Sequence, residues 1–231
     1  MKRIETQRHQ QENFLLRLSA TVFTLILLLN VNASAATSAP KSYKQLLSLL
    51  IVKPESSNIK FDRDKHFGNW RDDDRDCLDT RAEVLVRESL IPPIFEKCRA
   101  TTGRWYSIFD GRTYLLATAV QIDHLVALRE AWDSGASSWS KERRLSFAND
   151  LGYSGSLSAM TTKLNGSCKK LCKSDRDPAE WLPPKQQCLY AQRWVAVKYR
   201  WGLSIDIAEK RALANLLTGS CGEMSANIKF P

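Results

Sequence analysis

The chain has 231 residues, 43% hydrophobic and 26% charged, with a formal net charge of +9. That allows one domain with a sizeable core. Beyond the first 35 residues it offers no stretch long and apolar enough to span a membrane. The positive excess suits nucleic acid, anionic surfaces or acidic polymers, without choosing among them.

Residues 1–35 have the form of a secretory signal peptide. Lys2, Arg3, Arg8 and Arg17 precede an apolar run over 18–31, and Ala33 and Ala35 offer a cleavage site. The run is shorter than the roughly 20 residues that a bilayer requires. Residues 36–231 then read as a single domain, and a secreted one. Four Lys/Arg and two Asp/Glu fall within residues 1–35, so the remainder keeps +7. All six cysteines, Cys77, Cys98, Cys168, Cys172, Cys188 and Cys221, lie in this remainder. An even count behind a signal peptide implies a disulfide framework, of which the spacing alone selects no pairing. Cys168 and Cys172 form C-x-x-x-C, but no second half of a zinc site accompanies them.

In chain order, 36–42 reads as a flexible leader and "YKQLLSLLIV" from Tyr43 as a short helix stopped by Lys53-Pro54. Residues 55–77 form an Asp-rich loop without the spacing of an EF-hand. "DTRAEVLVRESL" places Ala82, Leu85, Val86 and Leu90 on one helical face, and Pro92-Pro93 end it. Trp105 to Phe109, an Asp110-Gly111 turn and a β-branched stretch predict a hairpin leading to Asp123-His124. "LVALREAW" turns helical, Ser140 caps a helix over "KERRLSFANDL", and "SLSAM" is a short strand. Asp177-Pro178-Ala179-Glu180 has the form of a capping box. A long amphipathic helix over 185–201 ends at Gly202, and Asp206 with Glu209 opens a last helix to Leu217. The fold class is α+β, mostly helical with a small β element.

The candidate chemistry is in "QIDHLVALREAW". A carboxylate is a hard ligand for Mg²⁺, and an imidazole takes a proton near neutrality. Adjacent residues on a regular strand face opposite ways, but a strand end relaxes this. Asp123 holding a divalent cation while His124 activates water is a compact arrangement for phosphodiester hydrolysis. Beyond residue 35 only one other histidine exists, His66, within the Asp-rich loop. An Asp-His dipeptide alone is equally a plain surface or core pair.

Six stretches, in this order along the chain, carry a resemblance: "CLDTRAEVLVRES", "GRWYSIFDG", "QIDHLVALREAWDSGASSW", "FANDL", "KSDRDPAEWLPP" and "YAQRWVAVKYRWGLSIDIAEKRAL". Together they resemble the secreted HNH endonuclease proteins related to the C-terminal domain of GmrSD restriction enzymes, from about Tyr43 to Cys221. The resemblance implies a ββα-metal (HNH, or His-Me finger) site built from a small hairpin and a helix. It implies Asp123 as metal ligand, His124 as general base, Asn165 as a second ligand, and Lys173 facing a phosphate. The implied cofactor is a divalent metal, Mg²⁺ first and Mn²⁺ or Zn²⁺ as alternatives. Two departures stand out: Ala127 where the family string carries proline, and "CKKLC" between Asn165 and Lys173.

Arg81, in a family motif, suits a phosphate contact or an ion pair with Asp79 or another acid. Arg129, Lys169 and Lys170, with Lys141, Arg143, Arg144, Lys198 and Arg200, either track a nucleic-acid backbone or form solvated faces. The tryptophans at 132, 139, 181, 194 and 201 suit base stacking or, at helical spacing, the core. Cys77 with Cys98 would staple one helix, and Cys188 with Cys221 would tie the last two together. The expected function is a secreted, metal-dependent endonuclease of low sequence specificity, with nucleic acid as its partner. The rival is a non-catalytic secreted binding or interaction protein on the same scaffold.

Overall fold

The computed structural model describes residues 41–56, 60–166 and 172–222. The expected signal segment, Cys168, Lys169 and Lys170 lie outside the described residues. Helix starts follow side-chain caps. Helix α1 (Tyr43–Leu49) opens with a closed capping box between Ser42 and Gln45. Helix α2 (Arg63–Phe67) lies inside the stretch expected to be all loop: Asp62 caps it and Gly68, at φ 65°, ends it. Asp79 caps α3 (Thr80–Glu88), accepting from the Ala82 N–H at 2.9 Å. The apolar face expected of α3 is only half right. Ala82 and Leu85 are buried together with Val84, but Val86 and Leu90 are exposed. The helix ends at Glu88, before the turn that would have brought Leu90 inward.

The expected hairpin forms. Strands β1 (Ile94–Glu96), β2 (Arg99–Ser107) and β3 (Arg112–Leu116) make an antiparallel sheet in that order. The Asp110-Gly111 turn joins the last two, with Gly111 at φ 72°. Strand β4 (Val120–His124) does not join this sheet. It pairs antiparallel with β5 (Leu157–Thr161), so that Asp123 faces Ser158 and His124 faces Leu157. The residues of interest therefore belong to a two-stranded ribbon closed across 125–156, not to the nearby hairpin.

Within that excursion lie α4 (Leu128–Asp133) and α5 (Lys141–Ala148), the latter capped by Ser140 as expected. One-turn α6 (Thr162–Asn165) follows β5 directly. Asp177 behaves as a cap, its Oδ1 accepting from the Ala179 and Glu180 N–H groups. Yet the chain makes only a turn there, because Pro183-Pro184 withhold the donors and the φ freedom that a longer helix needs. Helix α7 (Gln187–Trp201) ends at Gly202 in the left-handed conformation, and α8 (Ile207–Thr218) is capped by Asp206.

Two apolar clusters flank the ribbon. Val84, Leu85, Trp105, Val120, Ile122, Leu157 and Ala159 form the smaller. The larger collects Leu46, Phe67, Leu125, Trp132, Phe147, Met160, Tyr190, Trp194 and Trp201 from most of the helices. All five residues of β5 are buried as a result. The tryptophans at 132, 181, 194 and 201 are core residues, and Trp139 packs against them. Cys77–Cys98 and Cys188–Cys221 are bonded, and Cys172 is also in a disulfide.

Candidate active site

The face of β4 opposite Val120 and Ile122 carries Gln121 and Asp123, as strand alternation dictates. The strand ends at His124, and there both members of the pair reach one cleft. Its volume is about 480 Å³, and Arg63, Trp70, Arg81, Asp123, His124 and Asn165 are among its walls. Helix α6 brings Asn165 alongside, its Nδ2 donating to Gln121 Oε1 at 3.2 Å. Asp123, His124 and Asn165 all line this one cleft.

The His124 ring is fixed on two sides. Nε2 lies 2.9 Å from the Ala148 carbonyl oxygen. A carbonyl only accepts, so Nε2 carries the proton and Nδ1 keeps its lone pair. The Trp70 indole stacks on the ring, with centroids 5.0 Å apart and planes 7° from parallel. Burial holds the imidazole pKa down to about 3, against a hydrogen bond to Ala148 that opposes the shift. The ring is therefore neutral across the physiological range.

Asp123 is 3% exposed and Lys173 is fully buried. Lys173 Nζ lies 2.6 and 2.7 Å from the two Asp123 oxygens and also donates to the His124 carbonyl. Lys173 was expected to face a phosphate. Instead it is not a cleft-wall residue and approaches Asp123 from the interior. Its backbone N–H is tied to the Leu164 carbonyl of α6 at 2.7 Å. Burial pushes the Asp123 carboxyl up and the Lys173 amine down, each opposed by the other's charge.

The oxygens that could hold a divalent cation are those of Asp123 and the Asn165 amide. Each carboxylate oxygen offers two lone pairs, and Lys173 engages one on each. Mg²⁺ ordinarily takes one or two protein oxygens and keeps water for the rest. The donor set on the cleft wall fits such an ion. Ala127, which stands where the family string has proline, sits at φ −55°, a value proline itself would adopt. The backbone at this turn would accept a proline.

The expected basic track is largely structural. Lys198 is fully buried between Glu130 and Glu209, at 2.7 and 2.6 Å. Arg200 is buried against Asp150 at 2.9 Å. Neither can follow a phosphate backbone: both lie on the inward side of α7, where burial without a counter-charge is prohibitive. Arg143 and Arg144 donate to backbone carbonyls, of Trp201 and of His66 and Trp139 respectively. Arg129 pairs with Asp133 at 2.5 Å and lies over the Phe61 ring. Arg81 lines the cleft, but its guanidinium donates to the Ala117 and Val120 carbonyls, bracing the entry to β4 rather than pairing with Asp79.

Sequence reasoning missed Trp70 and Arg63, both in the Asp-rich stretch; an aromatic close to the stretch's one histidine was the available signal. His66, in the same stretch, stacks on Trp132 with centroids 4.0 Å apart. Among the described residues no helix is long and apolar enough to cross a membrane.

Known proteins match this chain in two ways. The model of the family "GmrSD restriction endonucleases, C-terminal domain" matches residues 95–216, just over half of the chain. An uncharacterized secreted protein of Arthroderma benhamiae is 37% identical over 207 residues, covering 84% of this chain and 98% of the relative. No solved structure matches the chain. The chain is a secreted protein, in keeping with that relative and with its disulfides. The matched span contains β2 to β5, the cleft residues Asp123, His124 and Asn165, and nearly all of α8, and on that match the chain belongs to the family of the C-terminal domain of GmrSD restriction endonucleases.

Proposed function

We propose that the protein is a secreted, metal-dependent endonuclease of the HNH type, hydrolysing phosphodiester bonds in DNA or RNA with little sequence preference. The observation that carries this reading is the His124 ring: neutral, clamped by Ala148 and Trp70, and beside Asp123 in an open cleft. Its free Nδ1 accepts the proton of a water that attacks the phosphorus. The Nε2–H bond to Ala148 fixes the tautomer and steadies the imidazolium that results. Asp123 and Asn165 would hold the divalent cation, and the Lys173 charge favours the ionised form of the Asp123 carboxylate against its burial. Bound there, the cation neutralises phosphate charge and stabilises the leaving oxygen. Arg63 on the cleft wall supplies positive charge for the polynucleotide backbone.

The test is incubation of purified protein with supercoiled plasmid and with RNA, in Mg²⁺ or in EDTA. Nicking in Mg²⁺, its loss in EDTA, and a fall of about 10²–10⁴-fold for His124→Ala are expected. Retention by His124→Ala of the native circular dichroism spectrum keeps a folding defect out of the reading. Binding without cleavage in Mg²⁺, Mn²⁺ and Zn²⁺ would instead favour a non-catalytic binding protein.

A further inference from the structure

Beside the cleft lies a second cavity, larger at about 670 Å³. The two share Trp70 and Arg81 as walls, so the second begins at the indole that stacks on His124. Its remaining walls come from the start of α3, the strands β1 and β2, and the chain from the end of β3 to Thr118. None of them has a part in the chemistry assigned to Asp123 and His124.

These walls are held before any ligand arrives. The Cys77–Cys98 bond ties the Asp-rich stretch to the β1–β2 turn, and Cys98 itself lines the cavity. Next to Trp70, the Arg71 N–H donates to Asn149 Oδ1 at 2.9 Å, and the Arg71 carbonyl accepts from the Thr80 N–H at 2.7 Å. Arg81, between the two cavities, is fixed by the Ala117 and Val120 carbonyls. A site assembled in advance loses little to ordering when it binds.

The lining is apolar on one side and cationic on the other. Leu85, Ala100 and Leu116 offer carbon surface, and Leu116 is 54% exposed. Arg99 is exposed at the start of β2 and lines the same cavity. Burial lowers the Arg81 pKa, and the nearby Arg99 charge adds to that against the pull of Asp79. Two guanidiniums beside an apolar recess that adjoins the cleft match one ligand class, a nucleotide. Its flat ring takes the carbon surface and a guanidinium plane, and its phosphate takes the charge. A base paired in a duplex is held inside the stack and enters such a recess only after being unstacked and unpaired.

We propose that this second cavity receives the unpaired base of a nucleotide next to the scissile phosphate, so that the protein selects single-stranded over duplex nucleic acid. The proposal rests on the nuclease reading of the cleft and adds the form of its substrate. Trp70 then serves both cavities, stacked on His124 in one and bordering the base in the other.

The test is fluorescence anisotropy of a labelled oligonucleotide, offered as single strand and as matching duplex, in EDTA so that hydrolysis does not intervene. The single strand is expected to bind about tenfold or more tightly than the duplex. A strand of abasic sugar-phosphates, equal in charge, is expected to bind no better than the duplex. Leu116→Glu and Arg99→Ala, both at exposed positions, should each shrink the single-strand advantage to about twofold or less. A native circular dichroism spectrum qualifies each variant, and either one suffices. Equal affinity for the two forms overturns the proposal while leaving the nuclease reading standing. So does an advantage that the folded variants keep in full, or an abasic strand that binds as tightly as the ordinary one. Binding of neither form also overturns it, and plasmid nicking in Mg²⁺ then decides the nuclease reading separately.

Discussion

Lys173 reaches Asp123 from inside the fold, and His124 reaches Ala148 from the cleft wall. Each contact favours the charged form against burial: the Lys173 ammonium pulls the Asp123 pKa down and the Ala148 carbonyl pulls the His124 pKa up, while burial pushes both the other way and, at His124, wins. Lys173→Met would strand the Asp123 carboxylate without a partner. A loss of about 3–5 kcal/mol is expected in urea unfolding, with most of it recovered in the double variant Asp123→Asn/Lys173→Met. Asp123 and His124 were legible because an adjacent acid and imidazole are scarce in this chain and end a predicted strand. Lys198 and Arg200 were not. Their partners, Glu130 and Asp150, are 68 and 50 residues away. Nothing local distinguishes a lysine that meets a buried acid from one that meets water.

At the level of elements, the ribbon is held as much by side chains as by its own ladder. The outer edge of β5 would expose unpaired backbone groups. Glu88 Oε2 accepts from the Ala159 N–H at 2.7 Å, and Arg87 donates to the Leu157 carbonyl at 2.7 Å. Both come from the last turn of α3, which thereby acts as a third strand's substitute. Glu88→Ala should orphan the Ala159 N–H and cost about 1–3 kcal/mol, read as a drop in the urea midpoint at constant m-value. Capped helix starts were readable from sequence at Ser140, Asp79 and Asp206, because a cap is a local bond. The partner of β4 was not, since it lies beyond an excursion with two helices of its own. Asp177 shows the converse: the cap signal was real, but two prolines downstream overruled it.

Across the whole molecule, the net charge of +9 proved a poor guide to a binding surface. Several arginines and two lysines, Lys173 and Lys198, are spent on backbone carbonyls and buried acids, so the described cleft draws on few basic groups. The secretory reading fared better, because disulfides and composition are global properties. One measurement belongs at this scale. The unfolded chain protonates its imidazole below about pH 6.5, whereas folded His124 resists until about pH 3. The neutral ring therefore subtracts stability as pH falls through that window, and the loss vanishes above it. Chemical unfolding between pH 7 and pH 4 should show the wild type losing more stability than His124→Gln, and the gap should widen toward the acid end.

The β4–β5 pairing closes across residues 125–156, so the cleft exists only when that whole excursion is in place. An unfolded chain has its aspartate and histidine in sequence but no stacked tryptophan, no carbonyl anchor and no neighbouring asparagine. If the protein cuts nucleic acid as proposed, export ahead of folding would keep that activity from the cell's own genome and transcripts.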